Sequence, residues 1–187
     1  MKKQKMIQKR TVLKALPKVL KEVKVPGWEG RIQGKVRDIY IKGNRRVLIT
    51  TDRLSAFDVI LGLIPFKGAV LNQLSAFWFE KTKKIVANHM IEVVDPNVMV
   101  VKNCQPIPVE MVVRGYMTGV TKTSIWYSYQ RGERLIYGIR FPEGLSKNQK
   151  LSRAVITPTT HGGGKGGHDE RLTRDEIVKK GIVDEEL

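Results

Sequence analysis

Several short stretches of the 187-residue chain gather cations, glycines and hydroxyls at spacings suited to anionic ligands. In "GKVRDIY", Lys35 and Arg37 stand two apart after Gly34. On a strand both side chains would leave from one face and could share phosphate oxygens, while the glycine would let the backbone approach a ligand. An ordinary basic hairpin is the plainer reading. "TDRLSAFDVI" crowds Asp52, Arg53, Ser55 and Asp58 into seven residues. Two carboxylates near a hydroxyl suit a cation or an amine; a turn capped by Asp52 and Ser55 is the alternative. "PFKGAVLNQLS" sets Lys67 and Gly68 just before a helical pattern, where main-chain N–H groups attract an anion. "VVRGYMTGVTKTS" ends a strand-like run with Arg114, then offers Gly115, Thr118, Gly119, Thr121 and Ser124, one guanidinium followed by many small donors.

The stretch "HGGGKGGHDE", from His161 to Glu170, looks like a phosphate loop but fails the strict pattern. A P-loop lysine is followed by Ser or Thr at the start of a helix. Here Lys165 is followed by Gly166, and "AVITPTT" does not read as a leading strand. A flexible surface loop is the simpler reading. The adjacent His168, Asp169 and Glu170 can meet a metal or a cationic group.

These groups need elements to hold them. "TVLKALPKVLKEV" has helical spacing broken at Pro17, and "VPGWEG" is a turn. "RIQGKVRDIYIKGNRRVLITT" reads as strand, turn and strand, with Ile39 and Ile41 alternating and Gly43–Asn44 turning. "AVLNQLSAFWFEKTKKIV" reads as an amphipathic helix with a core face of Leu71, Leu74, Phe77, Trp78 and Ile85. "MIEVV", "VMVVKNC" and "VEMVVRGYM" are strand-like, and "TSIWYSYQRG" suits a helix ending at Gly132. Thr173 and Glu176 form a capping pattern for a last helix.

Composition bounds the class. With 41% hydrophobic residues a packed core is expected rather than global disorder. No apolar run approaches a membrane span, and the basic N-terminus has no apolar stretch typical of a secretory signal. One cysteine, Cys104, permits no internal disulfide, so a cytoplasmic setting is expected. The net charge of +16 is concentrated early: residues 1–46 carry 15 Lys/Arg against 3 Asp/Glu. Such an arm suits nucleic acid, a solvated helix face or a pocket for phosphorylated metabolites.

Taken in order, "GKVRDIY", "TDRLSAFDVI", "KGAVLNQLS" with its "FWF" helix, "PVEMVVRGYMTGV" and "TPTT…GHDE" resemble the SAICAR synthetase family, the phosphoribosylaminoimidazole-succinocarboxamide synthases of purine biosynthesis. "DR-x-SAFD" with "VVRGY-x-TG" is a highly specific pair, and the resemblance runs from about residue 32 to 172. It implies an ATP-dependent ligase that joins the carboxylate of a phosphoribosyl carboxyaminoimidazole (CAIR) to the amine of L-aspartate, giving SAICAR, ADP and phosphate. The implied fold is α+β: an antiparallel, kinase-like N-terminal lobe over residues 1–104 and a second, incomplete α+β lobe over 105–187.

Carried over by position, Gly34, Lys35, Val36 and Arg37 would cover the ATP phosphates, and Lys102, in the segment 101–107, would lie by adenine. Asp52, Arg53, Ser55, Asp58, Lys67, Arg114, Thr118, Gly119, Thr121, Ser124, His168, Asp169 and Glu170 would meet the substrates. Lys35, Asp58, Lys67 and Arg114 would take part in the chemistry. Magnesium is implied beside ATP, without assigned ligands.

The sequence departs from the family in two places. The family has a lysine directly after "TPTT" where this chain has His161, with Lys165 four residues on. The later motifs, a "DTKFEFG"-like strand and a "DSSR-x-W"-like segment, are absent, so the chain as given is expected to turn over poorly and to expose apolar surface. The implied partners are small molecules, with no specific nucleic acid and no membrane, and a homo-oligomer is left open. A non-catalytic relative that binds nucleotide or substrate, and a basic nucleic-acid-binding protein, remain the competing readings. The aromatic residues of the "FWF" helix, spaced as for a core, argue against the latter.

Overall fold

Alternating apolar residues and tight turns make antiparallel strands of much of the first half of the chain. The computed structural model describes residues 8–56, 59–161 and 169–183. The chain divides into two compact units, Met1–Gln105 and Pro106–Leu187.

In the first unit, strands β1 (Ile32–Gln33), β2 (Arg37–Lys42), β3 (Arg45–Thr50), β6 (Met90–Asp95) and β7 (Val98–Lys102) form a sheet in the order β1-β2-β3-β7-β6. Every pairing in it is antiparallel. A short hairpin, β4 (Arg53–Ala56) and β5 (Val59–Leu63), leads into helix α2 (Lys67–Thr82). Ahead of the sheet, α1 (Lys9–Ala15) gives way to a 3-10 turn at Leu16–Lys18 that accommodates Pro17.

The period-two reading of β2 holds, but the buried face is the opposite one. Asp38 and Tyr40 are buried, while Ile41 is exposed. The reason is residues 20–25, which have no regular structure of their own and need hydrogen-bond partners. Asp38 Oδ2 accepts from Val23 N at 2.7 Å. The Tyr40 hydroxyl donates to Val23 O at 2.8 Å and accepts from Val25 N at 3.1 Å. The irregular segment therefore selects the polar face of β2.

Helix α2 corrects a second expectation. Leu71, Leu74, Phe77 and Trp78 are exposed, Trp78 to 57%, and Ile85 lies beyond the end of the helix. The buried positions are Gly68 and Asn72, and Asn72 Nδ2 donates to Pro96 O. The apolar stripe is thus not the packing face, and the argument it supplied against nucleic acid does not stand. α2 is instead held by its small and polar side against β3, β6 and β7. A Cβ on Gly68 would lie 2.2 Å from Thr50 O, so only glycine permits this approach.

In the second unit, β8 (Val109–Tyr116) pairs with the long β11 (Lys150–Thr160), and β9 (Leu135–Ile136) pairs with β10 (Ile139–Arg140). A strand does lead into the glycine-rich stretch, contrary to the sequence reading: β11 carries Pro158 opposite Met111. Helices α3 (Ile125–Tyr129) and α4 (Arg174–Lys179) complete the unit. Its core is Met117, Ile125, Tyr129, Ile136, Tyr137, Phe141, Leu151 and Val155. The expected capping box forms: Glu176 N donates to Thr173 Oγ1 at 3.2 Å and Thr173 N to Glu176 Oε2 at 2.7 Å. The structure combines antiparallel sheets with helices, an α+β fold. Among the described residues no helix is long and apolar enough to cross a membrane.

Gly68→Ala isolates the close contact under α2. On helix propensity alone it should stabilise by about 1 kcal/mol. Collision with the Thr50 carbonyl should win, giving a net loss of about 1–3 kcal/mol in urea unfolding. A gain would show that the helix shifts without cost.

Candidate functional site

The "GKVRDIY" stretch opens with a hairpin turn and continues as β2 rather than forming one strand throughout. Gly34 N donates to Arg37 O at 2.8 Å and closes a bend at Lys35–Val36 between β1 and β2. Lys35 sits exposed in the bend and Arg37 half-buried at the start of β2, so strand alternation does not set their directions.

All three carbonyls of Gly34, Lys35 and Val36 are engaged from within the protein. Arg53 Nη2 donates to Gly34 O at 3.0 Å and Arg53 Nε to Lys35 O at 3.1 Å. Thr51 donates to Val36 O through both its N and its Oγ1, each at 2.9 Å. Arg53 is 1% exposed and is also paired with Asp38 Oδ1 at 3.0 Å and Lys21 O at 2.7 Å. Its role is internal, one the sequence reading did not foresee when it set Arg53 among the substrate contacts.

Asp52, next in the chain, is also buried. Its Oδ1 accepts from Gly68 N at 2.9 Å and its Oδ2 from Leu20 N at 2.9 Å. The first turn of α2 does attract an anion, as its N–H groups predict, and that anion is the protein's own Asp52 carboxylate. Lys67 opens the helix, half-buried. Ser55 lies on β4 opposite Ile60. Lys102 ends β7, exposed, with its N–H donating to His89 O.

Arg37 belongs to a basic cluster with Arg46 and His89. The Nε atoms of Arg37 and Arg46, and Thr50 Oγ1, are enclosed with no hydrogen-bond partner among the described residues. The His89 imidazole is held below its ordinary range, chiefly by burial and then by the charges of Arg37 and Arg46.

In the second unit, Arg114 stands half-buried on β8 opposite Val155, and its Nε donates to Thr157 Oγ1 at 2.9 Å. Thr157 in turn donates to Val112 O at 3.1 Å. Burial raises the Tyr137 phenol, while the charges of Arg114 and Arg171 oppose that rise. The donor-rich loop is tied down from within the protein: Thr118 Oγ1 donates to Asn148 Oδ1 at 2.7 Å, and Ser124 Oγ to Thr121 O at 2.7 Å. Ser124 is buried and Thr121 exposed. Gly119 has φ +103°, and a Cβ there would lie 2.3 Å from that of Ser124, so the loop requires glycine.

Asp169 and Glu170 are exposed at the end of β11, where Glu170 N donates to Thr160 Oγ1 and Thr160 N to Glu170 O, both at 2.9 Å. His161 Nδ1 lies 2.7 Å from Glu110 Oε1. Asp58, Lys165 and His168 lie outside the described residues. Among the described residues no group of three His, Cys, Asp or Glu side chains could hold a metal ion. A cavity of about 620 Å³ in this unit is lined by Tyr137, Ile156, Pro158 and Ile177, among others, but by none of the predicted site residues.

Sequence reasoning missed Asp38, Thr51 and Thr157. Their only sequence signal was a polar residue at a position that alternation assigned to one face or the other.

His89 generates a pH prediction. The folded state takes up the His89 proton at a lower pH than the unfolded chain, which does so near pH 6.5. The unfolded state therefore binds more protons just below that pH, and stability falls as pH drops through this window. Well above pH 6.5, where both states are deprotonated, the group contributes no slope. Urea midpoints for His89→Gln should lose that part of the acid-side slope; an unchanged slope would exclude His89 as its source.

A family model described as SAICAR synthetase matches residues 31–187. The phosphoribosylaminoimidazole-succinocarboxamide synthase of Legionella pneumophila is 49% identical over 171 residues, covering 91% of this chain and 54% of the relative. The chain spans about half the length of the curated relatives it matches. The solved SAICAR synthase from Saccharomyces cerevisiae complexed with SAICAR superposes with a TM-score of 0.72 at 28% identity, over 86% of this chain and 58% of that one. A SAICAR synthetase (Type-2) in complex with ADP shares the fold at a TM-score of 0.59 and 21% identity, over 82% and 63% of the two chains. By sequence from residue 31 onward, and by fold, the chain belongs to the SAICAR synthetase family.

Proposed function

We propose that the chain carries the nucleotide-binding and part of the substrate-binding apparatus of an ATP-dependent ligase that forms SAICAR from CAIR and L-aspartate. The reading is carried by the hairpin turn at residues 34–37, which brings Lys35 and Arg37 to a bend whose carbonyl oxygens are drawn inward. A bend of this kind suits a polyphosphate, because cations attract it and few carbonyl dipoles repel it. The ADP in one structural neighbour and the SAICAR in another support the same ligand classes.

In this reading Gly34–Arg37 lie over the ATP phosphates and Lys102 lies by the adenine. Arg114, with the loop from Thr118 to Ser124, takes an anionic part of CAIR. Lys67, Ser55, Asp169 and Glu170 lie towards the substrates. A carboxylate acylates poorly, so ATP phosphorylates it; the aspartate amine attacks the acyl phosphate, and phosphate leaves. No protein nucleophile enters. The protein's work is to gather anions and offset their repulsion. Magnesium normally accompanies such a triphosphate; no step here is assigned to it. A cytoplasmic setting belongs to the same proposal.

A thermal-shift series tests the ligand class. ATP with magnesium should raise the melting temperature, and an oligonucleotide should leave it unchanged. The reverse would favour a nucleic-acid-binding role for the basic arm and the exposed Phe77 and Trp78.

Arg114→Ala should weaken SAICAR binding by about 2–3 kcal/mol, as for a lost charge-assisted contact. Calorimetry checks this: unchanged affinity would remove Arg114 from the site.

A further inference from the structure

We propose that Arg53, assisted by Thr51, is a positioning residue for the nucleotide: it holds the 34–37 turn so that its carbonyl oxygens face away from the phosphates. The inference rests on the phosphate-binding reading of that turn. It assigns a role to a side chain that touches no ligand.

The geometry is specific. One guanidinium bonds two consecutive carbonyls, those of Gly34 and Lys35, and Thr51 takes the third, that of Val36. Three adjacent peptide oxygens in a bend would otherwise present a row of partial negative charge. Near a triphosphate that row would be repulsive, and each rotation that turns an oxygen inward turns its amide dipole the favourable way. The planar fork of arginine suits this task because its donors are fixed relative to one another. Asp38 holds the fork, accepting from Nη2 at 3.0 Å, and is itself anchored by Val23 N at 2.7 Å. Lys21 O receives Nη1 at 2.7 Å. Four bonds, one from Nε, one from Nη1 and two from Nη2, are thus made by a side chain that is 1% exposed. The pair with Asp38 stabilises little against an apolar replacement of both residues, so its cost is better accounted for by the bend it shapes.

The test uses three variants of the full chain. Arg53→Lys keeps a charge beside Asp38 and loses the fork. Thr51→Val loses only the hydroxyl bond to Val36 O. Arg53→Met with Asp38→Leu removes both buried charges together, so that neither is stranded. Calorimetry with ADP and with SAICAR, and hydrogen exchange by mass spectrometry, are the readouts. ADP affinity should fall about tenfold in Arg53→Lys, while SAICAR affinity stays within about twofold. Exchange at residues 34–37 should quicken and that of β3 and β7 should not. The double variant should fold and show the same ADP-selective loss; Thr51→Val should show a smaller one. Wild-type ADP affinity in any folded Arg53 variant overturns the inference, as does an equal loss for both ligands with faster exchange across the sheet. Should neither Arg53 variant fold, unchanged ADP affinity in Thr51→Val overturns it. A wild-type chain that binds no ADP sinks the phosphate reading itself, an outcome distinct from the others.

Discussion

The first unit depends on a buried guanidinium. Burying Arg53 and Asp38 strips both charges of water, a cost of several kcal/mol per ion that only close pairing and full hydrogen bonding can offset. The pair is 3.0 Å apart, and three further bonds from the guanidinium go to main-chain carbonyls, so four of its five N–H donors are engaged. Removing either partner alone would strand a charge and cost about 3–5 kcal/mol. Three neighbouring residues then tie three parts of the chain together. Thr51 and Arg53 hold the hairpin turn, Arg53 and Asp52 hold residues 20 and 21, and Asp52 caps α2. Helix start, irregular N-terminal segment and basic bend therefore share one polar knot.

This knot accounts for features that hydrophobicity does not. Residues 20–25 have no periodic structure, yet the N–H groups of Leu20, Val23 and Val25 are met by Asp52, Asp38 and Tyr40. α2 approaches the sheet through Gly68 and Asn72 rather than through its apolar stripe, because its first turn is fixed by Asp52 and by the contact with Thr50. The stripe of Leu74, Phe77 and Trp78 is left outward as a consequence.

The second unit is organised by hydroxyls and a conventional apolar core. Tyr137 donates to Thr123 O, Tyr129 to Pro142 O and Thr157 to Val112 O, each anchoring a loop or strand to its neighbour. Arg114 is oriented by Thr157, so a neutral side chain on β11 aims the one guanidinium of the "VVRGY" stretch. The close approach at Gly119, which a side chain would block, lets the loop close on Ser124.

The sequence by itself determined the family, the alternation of strands and turns, the position of α2 and the capping box at Thr173. These are local: periodicities, turn residues and contiguous motifs survive without knowledge of distant contacts. Which face of β2 is buried, which side of α2 packs, and whether Asp52 and Arg53 meet a ligand or the protein's own backbone were decided only by tertiary structure. In the Arg53–Asp38 pair the partners are 15 residues apart, and Asp52 to Gly68 spans 16. A carboxylate or guanidinium has the same chemistry for a substrate as for an unpaired main-chain group. Only the folded chain shows which of the two lies within reach, since that depends on irregular segments whose course no periodicity records.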